Sequence, residues 1–266
     1  MTHSNPATTR PCRASLPPER FAELAAALGD SPETAMDLTQ LALGRCRAYV
    51  AGSLPRFDAA VVQVDDNPTE VNGYGSDPEA LDGLLQIVPG WACVLVSRQL
   101  EQPLSALLER RLGLPLRHYG DVAYVAPQQG LVRHVHPDVR LLTLEDLPLL
   151  QAEPRLQGKC FGSPEALLRQ GVAAGAVVQG ALVAMTHTSG LSPRYGEIGA
   201  YCLEPYRRRG YVTAAAWLVA ERLRAMGRTP IWSTGETNWA SQRVAEKLGF
   251  VRQGGRVYLI PQRPTP

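Results

Sequence analysis

The run of residues from 195 to 226 constrains the fold of this chain more than any other part of it. Residues 195–203 are typical of a strand, and residues 211–226 place apolar side chains at helical spacing before a glycine. The short connection between them contains three consecutive arginines followed by Gly210. A strand that runs directly into a long helix is a building block of folds in which helices cover a β-sheet.

The elements on either side of this run extend the same alternation. Residues 139–143 are a predicted strand, and helix starts follow at Thr143 and at Ser163, each with acidic residues in the first turn. The predicted order from residue 139 to residue 260 is β-α-α-β-β-β-α-β-α-β. This order predicts the α/β or α+β class, with a mixed sheet and helices on both of its faces.

The first half of the chain carries a second, smaller set of α/β signals. Ser31 followed by a proline and a glutamate is a typical helix start, and we expect this helix to continue until Gly52 stops it. The other predicted helices lie at 17–28, 77–87 and 103–112, and the predicted strands at 59–64, 70–74, 91–96 and 118–126.

Two domains account for this pattern, since 266 residues exceed the usual size of one domain. We expect a disordered tail at 1–15, a smaller N-terminal α/β domain at 16–130 and a C-terminal domain at 138–262. Residues 127–137 are the predicted linker, and their apolar side chains leave room for an exchanged strand.

Composition and charge argue against several classes of protein. The net charge of +2 is too small for a nucleic-acid partner, and no apolar run approaches the ~20 residues that span a bilayer. The five cysteines are scattered, which indicates reduced thiols and a cytoplasmic location. His134 and His136 lack further ligands at metal-binding spacing, so we expect no metal.

The loop before residue 211 has the features of a phosphate site. The first turn of a helix leaves backbone N–H groups unpaired and carries partial positive charge, which favours anions. Gly210 presents no Cβ to an approaching phosphate, and Arg207, Arg208 and Arg209 add donors for its oxygens. A basic turn on a solvated surface would have the same composition, so this alternative stays open.

A second motif follows one predicted strand later, from Asn238 to Phe250. Together with the loop it resembles the GNAT superfamily of N-acetyltransferases, over residues 138–262. Arg207 and Gly210 match the first signature of that family, Gln/Arg-x-x-Gly-x-Gly/Ala. The residues that match its second signature are Asn238, Ser241, Val244, Lys247, Leu248, Gly249 and Phe250.

The chain departs from the family pattern at three positions. Val212 stands where glycine or alanine is usual, and Arg208 replaces a frequent glycine. Ala245 occupies the position of a tyrosine that protonates the leaving thiolate in many members. The resemblance therefore leaves that acid unassigned, with Tyr201 and Tyr211 as substitutes.

The resemblance implies that acetyl-CoA, as co-substrate, lies between the strands at 197–203 and 231–234. It implies that the pantetheine pairs with backbone groups of Tyr201 and Leu203, and that an N–H near Tyr201 polarises the thioester carbonyl. The implied acetyl-CoA-binding residues are Tyr201, Cys202, Leu203, Arg207, Arg208, Arg209, Gly210, Tyr211, Val212, Thr213, Asn238 and Ser241.

An amine acceptor must lose a proton before it can attack the thioester, so a base is needed. Glu197 is the leading candidate because it lies at the start of the strand, where some members of the family that the chain resembles carry a glutamate. Strand alternation also places it on the same face as Tyr201. Glu236, just after the next strand, is the alternative. Either residue could instead be an ordinary strand or loop carboxylate. Asn238 is expected to cap its helix as well as to approach the cofactor.

Residues 70–126 repeat the element order of residues 197–260. The turn at 73–77 takes the place of the basic loop but carries Asp77, which should repel pyrophosphate. We interpret the N-terminal half as a degenerate copy of the same fold, with element order as the motivation.

The sequence predicts an acetyl-CoA-dependent N-acetyltransferase that acts on a small molecule or peptide. The alternative is a non-catalytic acyl-CoA-binding sensor or scaffold, which Ala245 keeps open. We expect no nucleic acid or membrane partner, and homodimerisation stays open.

Overall fold

The structure is a computed structural model that describes residues 15–263. The predicted tail therefore falls, except for Ser15, outside the described residues, as do residues 264–266. The helices are α1 (Phe21–Leu28), α2 (Ala35–Leu43), α3 (Pro78–Leu85), α4 (Glu101–Leu112), α5 (Leu147–Ala152), α6 (Pro164–Gln170), α7 (Tyr211–Ala225) and α8 (Trp239–Leu248). The strands are β1 (Cys46–Ser53), β2 (Arg56–Val64), β3 (Glu70–Gly75), β4 (Cys93–Val96), β5 (Leu116–Val125), β6 (Val139–Leu141), β7 (Ala173–Val178), β8 (Ala181–Leu191), β9 (Tyr195–Cys202), β10 (Thr229–Gly235), β11 (Val251–Arg252) and β12 (Val257–Pro261).

The chain forms two compact units whose segments alternate along the sequence. Among the described residues, the first unit contains residues 15–28, Cys46–His118 and residues 258–263. The second contains Gly29–Arg45 and Tyr119–Val257. These units differ from the domains predicted at 16–130 and 138–262, because α2 and most of β5 fold with the second half, and most of β12 folds with the first.

The second unit has a mixed sheet in the order β5-β10-β9-β8-β7-β6, and β11 also pairs with β5. All neighbours are antiparallel except β9 and β10, which are parallel and are connected through α7. From β6 onward the elements follow the predicted order, with β11 as an addition. The predicted α/β class is thereby confirmed.

Helices cover both faces of this sheet. On one face, Ala215, Ala216 and Val219 of α7 pack against Ile198 of β9 and Trp232 of β10 in a fully buried cluster. The small alanines let the helix axis approach the sheet closely. On the other face, the cluster is built from Leu150 of α5, Leu167 of α6 and Met185 of β8.

The helix α2 packs on the same face as α5 and α6. A Cβ placed on Gly190 of β8 would lie 2.8 Å from the Cα of Met36, so the helix backbone rests directly on this glycine. Thr39 accepts a hydrogen bond from the N–H of Leu191 at 2.7 Å. These contacts explain why residues 29–45 belong to the second unit.

The helix predicted from Ser31 to Gly52 is wrong in its second half. Gly44 adopts a left-handed conformation (φ 65°), and its N–H closes the last turn of α2 onto Gln40 and Leu41. The following residues form β1, which pairs antiparallel with β2 from Cys46 to Ser53. The apolar residues near Tyr49 therefore serve a strand, although their spacing also fits a helix.

The first unit repeats the architecture of the second. Its sheet has the order β1-β2-β3-β4-β12, in which β3 and β4 are parallel and are connected through α3. The order antiparallel, antiparallel, parallel across β1 to β4 is the order across β7 to β10. This agreement supports the interpretation of the N-terminal half as a copy of the same fold.

Within the described residues, no helix is both long and apolar enough to cross a membrane.

We predict that Gly190→Ala lowers the free energy of unfolding by about 1–3 kcal/mol, because the new methyl group meets backbone atoms of α2. Chemical denaturation measures the change. Gly83→Ala is the matched control: it lies inside α3 with no atom within 4 Å of a Cβ, and it should stabilise the protein by about 0.5–1 kcal/mol. Equal stabilities of Gly190→Ala and the wild type would show that α2 does not rest on this strand.

Candidate active site

The parallel strands β9 and β10 separate part-way along their length. They pair only from Tyr195–Thr229 to Glu197–Ile231, yet β9 continues to Cys202 and β10 to Gly235. In the part of the chain that the structure describes, no strand pairs with the β10-facing edge of β9 beyond Glu197. The result is an open gap with backbone hydrogen-bonding groups along its edges.

The backbone groups that face this gap belong to Ala200 and Cys202. The N–H of Leu203 donates to Val183 of β8 at 3.0 Å, and antiparallel pairing alternates from residue to residue. Tyr201 and Leu203 therefore direct their N–H and C=O groups at β8. The pairing predicted for Tyr201 and Leu203 is displaced by one residue, because the sequence does not reveal which edge of β9 the odd-numbered backbone groups face.

The N-terminus of α7 lies one short loop after the end of β9. Gly210 is the N-cap residue with a φ of 85°, and no side chain caps the helix. The first helical N–H to bond backward is that of Ala214, which donates to Gly210 at 3.0 Å. The N–H groups of residues 211–213 thus have no acceptor within the helix.

The three arginines of the loop are exposed. Arg207 donates through Nε to the carbonyl of Cys202 at 3.3 Å, and Arg209 donates to the carbonyl of Pro205 at 3.2 Å. Arg209 also lies over the ring of Tyr206. Arg208 has a φ of 64°, in the left-handed region that favours glycine. The loop therefore presents positive charge beside the open helix terminus.

Two first-turn side chains of α7 turn away from the loop. Tyr211 is buried, its hydroxyl donates to Asp138 at 3.3 Å, and its ring contacts the edge of His136. Val212 packs against the core. The substitute acid role predicted for Tyr211 does not fit this position, while the backbone groups of both residues and of Thr213 remain at the helix terminus.

Glu197 lies where the two strands begin to separate. It is the last residue of β9 that pairs with β10, and only 6% of its surface is exposed. Burial raises the pKa of Glu197 to about 7, against a lowering by the hydroxyl of Ser233, which donates to its Oε1. The negative charge of Asp37 raises the pKa further, and Arg256 lowers it.

The residues around Glu197 come from three distant parts of the chain. Asp37 of α2, Ser233 of β10 and Arg256 before β12 were all missed by sequence reasoning. Asp37 and Arg256 are themselves buried. The only sequence signals are that Asp37 stands between apolar residues and that Arg256 directly precedes an apolar run. Nothing in their spacing connects them, because they meet only through the fold.

The remaining candidates on β9 lie on the face opposite α7. Ile198 packs in the α7 core, so alternation places Glu197, Gly199 and Tyr201 on the other face. Tyr201 is 44% exposed. It lies four residues beyond Glu197, which is roughly 13 Å along the strand.

Glu236 does not share a site with Glu197. It follows β10 by one residue, and five positions separate it from Ile231, the partner of Glu197. That separation is roughly 16 Å along an extended chain. Its N–H donates to Gly120 at 2.8 Å. Glu236 is therefore poorly placed to take a proton at the point where the strands separate.

The second motif forms the start of α8. Asn238 is the N-cap residue and accepts a hydrogen bond from the N–H of Ser241 at 3.3 Å, so the predicted cap is confirmed. Ser241 accepts a hydrogen bond from Nε1 of Trp232 at 2.9 Å. Ala245 is fully buried among apolar side chains. The hydroxyl of Ser241 thus links α8 to β10 through the side chain of Trp232.

A partly buried histidine lies beside Gly199. His187 of β8 donates through Nδ1 to the carbonyl of Thr188 at 2.9 Å, so the neutral ring has its acceptor at Nε2. Burial lowers the pKa of His187, against the effect of the Thr188 hydrogen bond. A Cβ on Gly199 would lie 3.2 Å from this ring, which shows how the glycine makes room for it.

Comparison with known families supports the resemblance. The family described as the Acetyltransferase (GNAT) domain matches residues 166–251, which include β9, the basic loop, α7, β10 and α8. Among proteins of curated function, none matches the chain.

Solved structures share the fold over nearly the whole chain. A GCN5-related N-acetyltransferase-like protein from Streptococcus suis superposes with a TM-score of 0.66 at 19% identity, covering 92% of this chain and 99% of that one. An acetyltransferase of the GNAT family from Colwellia psychrerythraea has a TM-score of 0.57 at 14% identity, with coverages of 94% and 99%. A tandem GNAT protein from the clavulanic acid biosynthesis pathway has a TM-score of 0.55 at 14% identity, with coverages of 92% and 94%.

We predict that the stability of the protein falls as the pH rises from about 4.5 to about 7, through Glu197. The folded state holds the proton of Glu197 up to a pKa of about 7, whereas the ordinary value is 4.5. Ionisation therefore costs the folded state up to ~3 kcal/mol above pH 7 and nothing below pH 4.5. Glu197→Gln should remove this dependence, as measured by urea denaturation at several pH values.

Glu221→Gln, on the exposed surface of α7, is the control and should follow the wild type at every pH. A stability difference between Glu197→Gln and the wild type that stays constant from pH 4.5 to pH 8 would contradict the burial of a titrating carboxyl group.

Proposed function

We propose that the chain transfers the acetyl group of acetyl-CoA to a primary amine of a small molecule or peptide, because residues 166–251 match the Acetyltransferase (GNAT) domain. The observation that carries the proposal is the open gap between β9 and β10, which ends beside an uncapped helix N-terminus. An extended ligand with a charged end fits this combination. Glu197, at the closed end of the gap, supplies a buried proton acceptor.

The residues of the basic loop fit the pyrophosphate of the co-substrate. The N–H groups of residues 211–213 have no helical acceptor, and the helix N-terminus carries partial positive charge. Gly210 is exposed with open space where a Cβ would be. Arg207, Arg208 and Arg209 add charge-assisted donors.

The edge of β9 fits the amide groups of the pantetheine. Ala200 and Cys202 present backbone groups to the gap, so an extended chain can add there as a strand would. When bound, acetyl-CoA supplies a thioester carbonyl that an amine can attack. The N–H of Ala200 faces the gap and can donate to that carbonyl oxygen.

Glu197 accepts the proton that the acceptor amine must lose. A pKa of about 7 matches the requirement that a general base be partly ionised near neutral pH and still basic. Tyr201, exposed on the same face, is the candidate that remains for protonating the leaving thiolate, since Ala245 carries no acid. We propose a cytoplasmic location on the basis of the scattered cysteines.

We predict that Gly210→Glu weakens acetyl-CoA binding at least ~100-fold, because a carboxylate would stand beside the phosphates and add ~3 kcal/mol of repulsion. Wild-type protein at 100 times the dissociation constant of acetyl-CoA should gain ~2.7 kcal/mol of stability. A thermal-shift titration measures both.

Gly210→Ala carries the same left-handed strain without the charge, and it should retain most of the affinity. If Gly210→Glu binds acetyl-CoA with wild-type affinity, the phosphates do not bind at this helix terminus. An unchanged thermal midpoint of the wild-type protein with acetyl-CoA would end the proposed function.

We predict that Glu197→Gln lowers the turnover of acetyl-CoA with an amine by ~100-fold or more at pH 7, since general-base catalysis contributes factors of that order. In the wild type, kcat/KM should rise with pH through about 7, as Glu197 ionises. In Glu197→Gln, kcat/KM should no longer rise with pH through about 7, while the affinity for acetyl-CoA should stay at the wild-type value. A library of primary amines, with thiol release as the readout, provides the acceptor.

Glu236→Gln is the matched comparison and should retain the rate and the pH profile of the wild type. A profile altered by Glu236→Gln and not by Glu197→Gln would reverse the assignment. If the protein binds acetyl-CoA but releases no thiol with any amine, the alternative of a non-catalytic acyl-CoA-binding sensor or scaffold would be favoured.

A further inference from the structure

Glu197 and Ser233 differ sharply in their access to solvent. The carboxyl group of Glu197 is buried, whereas Ser233 of β10 is exposed. The hydroxyl of Ser233 donates to Oε1 of Glu197. Ser233 lies two residues beyond the last β9–β10 pair, where the strands have already separated. A molecule in the gap therefore meets the hydroxyl of Ser233 before it meets the carboxylate.

We propose that Ser233 is a catalytic residue that relays the proton of the acceptor amine to Glu197. This inference rests on the proposed acetyl transfer and names a further residue for it. The relay explains how a carboxylate with almost no exposed surface can act on a substrate that stays outside.

The step conserves atoms and charge. The N–H bond of the ammonium group breaks as its proton binds Oγ of Ser233, and the original Oγ–H proton passes to Oε1 of Glu197. Serine is neutral before and after the step. The positive charge of the amine and the negative charge of Glu197 are both removed, and the neutral amine can attack.

The groups around the relay keep Glu197 ready to accept the proton. The negative charge of Asp37 in α2 raises the pKa of Glu197, whereas the positive charge of Arg256 lowers it, and both residues are buried. Ser233 is aligned with Ala123 of β5, which has a small side chain, and Ser233 itself is exposed. The hydroxyl of Ser233 is therefore an exposed polar group that contacts both the gap and the carboxyl group of Glu197.

Kinetics with acetyl-CoA and the best primary amine of the screen test the relay. Ser233→Ala should lower kcat/KM by ~10–100-fold, with acetyl-CoA affinity unchanged, and Ser233→Thr should restore most of the loss. In the Glu197→Gln background, Ser233→Ala should cost nothing further, because both residues act in one step. Thr229→Val, a hydroxyl removed four residues earlier on β10, is the control and should keep the wild-type rate.

A second measurement does not require turnover. Carbon-13 NMR of labelled glutamate, with the Glu197 signal identified by its loss in Glu197→Gln, follows the carboxyl group. The midpoint should lie near 7 in the wild type and higher in Ser233→Ala, since the lost hydrogen bond favours the carboxylate. An unmoved midpoint would overturn the relay, whether or not the protein is an enzyme.

The remaining outcomes separate the relay from the proposed function. Full activity in Ser233→Ala together with a large loss in Glu197→Gln would reject the relay and keep Glu197 as the base. Losses that add in the double variant would give Ser233 a role independent of Glu197. Full activity in Glu197→Gln would reject both the base and its relay.

Discussion

The rest of the site depends on where β9 and β10 stop pairing. Two parallel strands joined through a helix normally share hydrogen bonds along their whole overlap, but here the ladder ends at Glu197 and Ile231. Beyond that point both strands keep their other neighbours, β8 and β5, so the gap is held open by the sheet itself. The unpaired edge of β9 follows from this separation, and the buried carboxyl group of Glu197 lies at the point where it begins.

Burial links the stability of the fold to its chemistry. A carboxyl group at the closed end of the gap is removed from water by both strands and by α2, which makes its ionised form costly. The same cost gives Glu197 a pKa near neutrality, where a base is most useful. The segment at 29–45 is distant from Glu197 in sequence but belongs to the same unit. Through Asp37 it raises the pKa of Glu197.

The sequence revealed what local physics determines and missed what the fold brings together. The loop before α7, the cap at Asn238 and the element order follow from composition and spacing, and the structure has them where they were expected. The end of α2 was predicted too late, at Gly52 instead of Gly44. The apolar residues after Gly44 also fit helical spacing, and they outweighed the glycine as a stop signal. Ser233 and Asp37 could not be found, since their relation to Glu197 exists only through strand register and helix packing.

The helices α3 and α7, each of which connects two parallel strands, differ at their N-termini. In the first unit, Asp77 caps α3 and accepts hydrogen bonds from the N–H groups of Glu79 and Ala80 at 2.9 and 3.1 Å. The same donors at α7 are left open behind Gly210. A side-chain carboxylate that satisfies the helix terminus also repels a phosphate. The N-terminus of α3 is therefore satisfied by a side chain, whereas that of α7 is not.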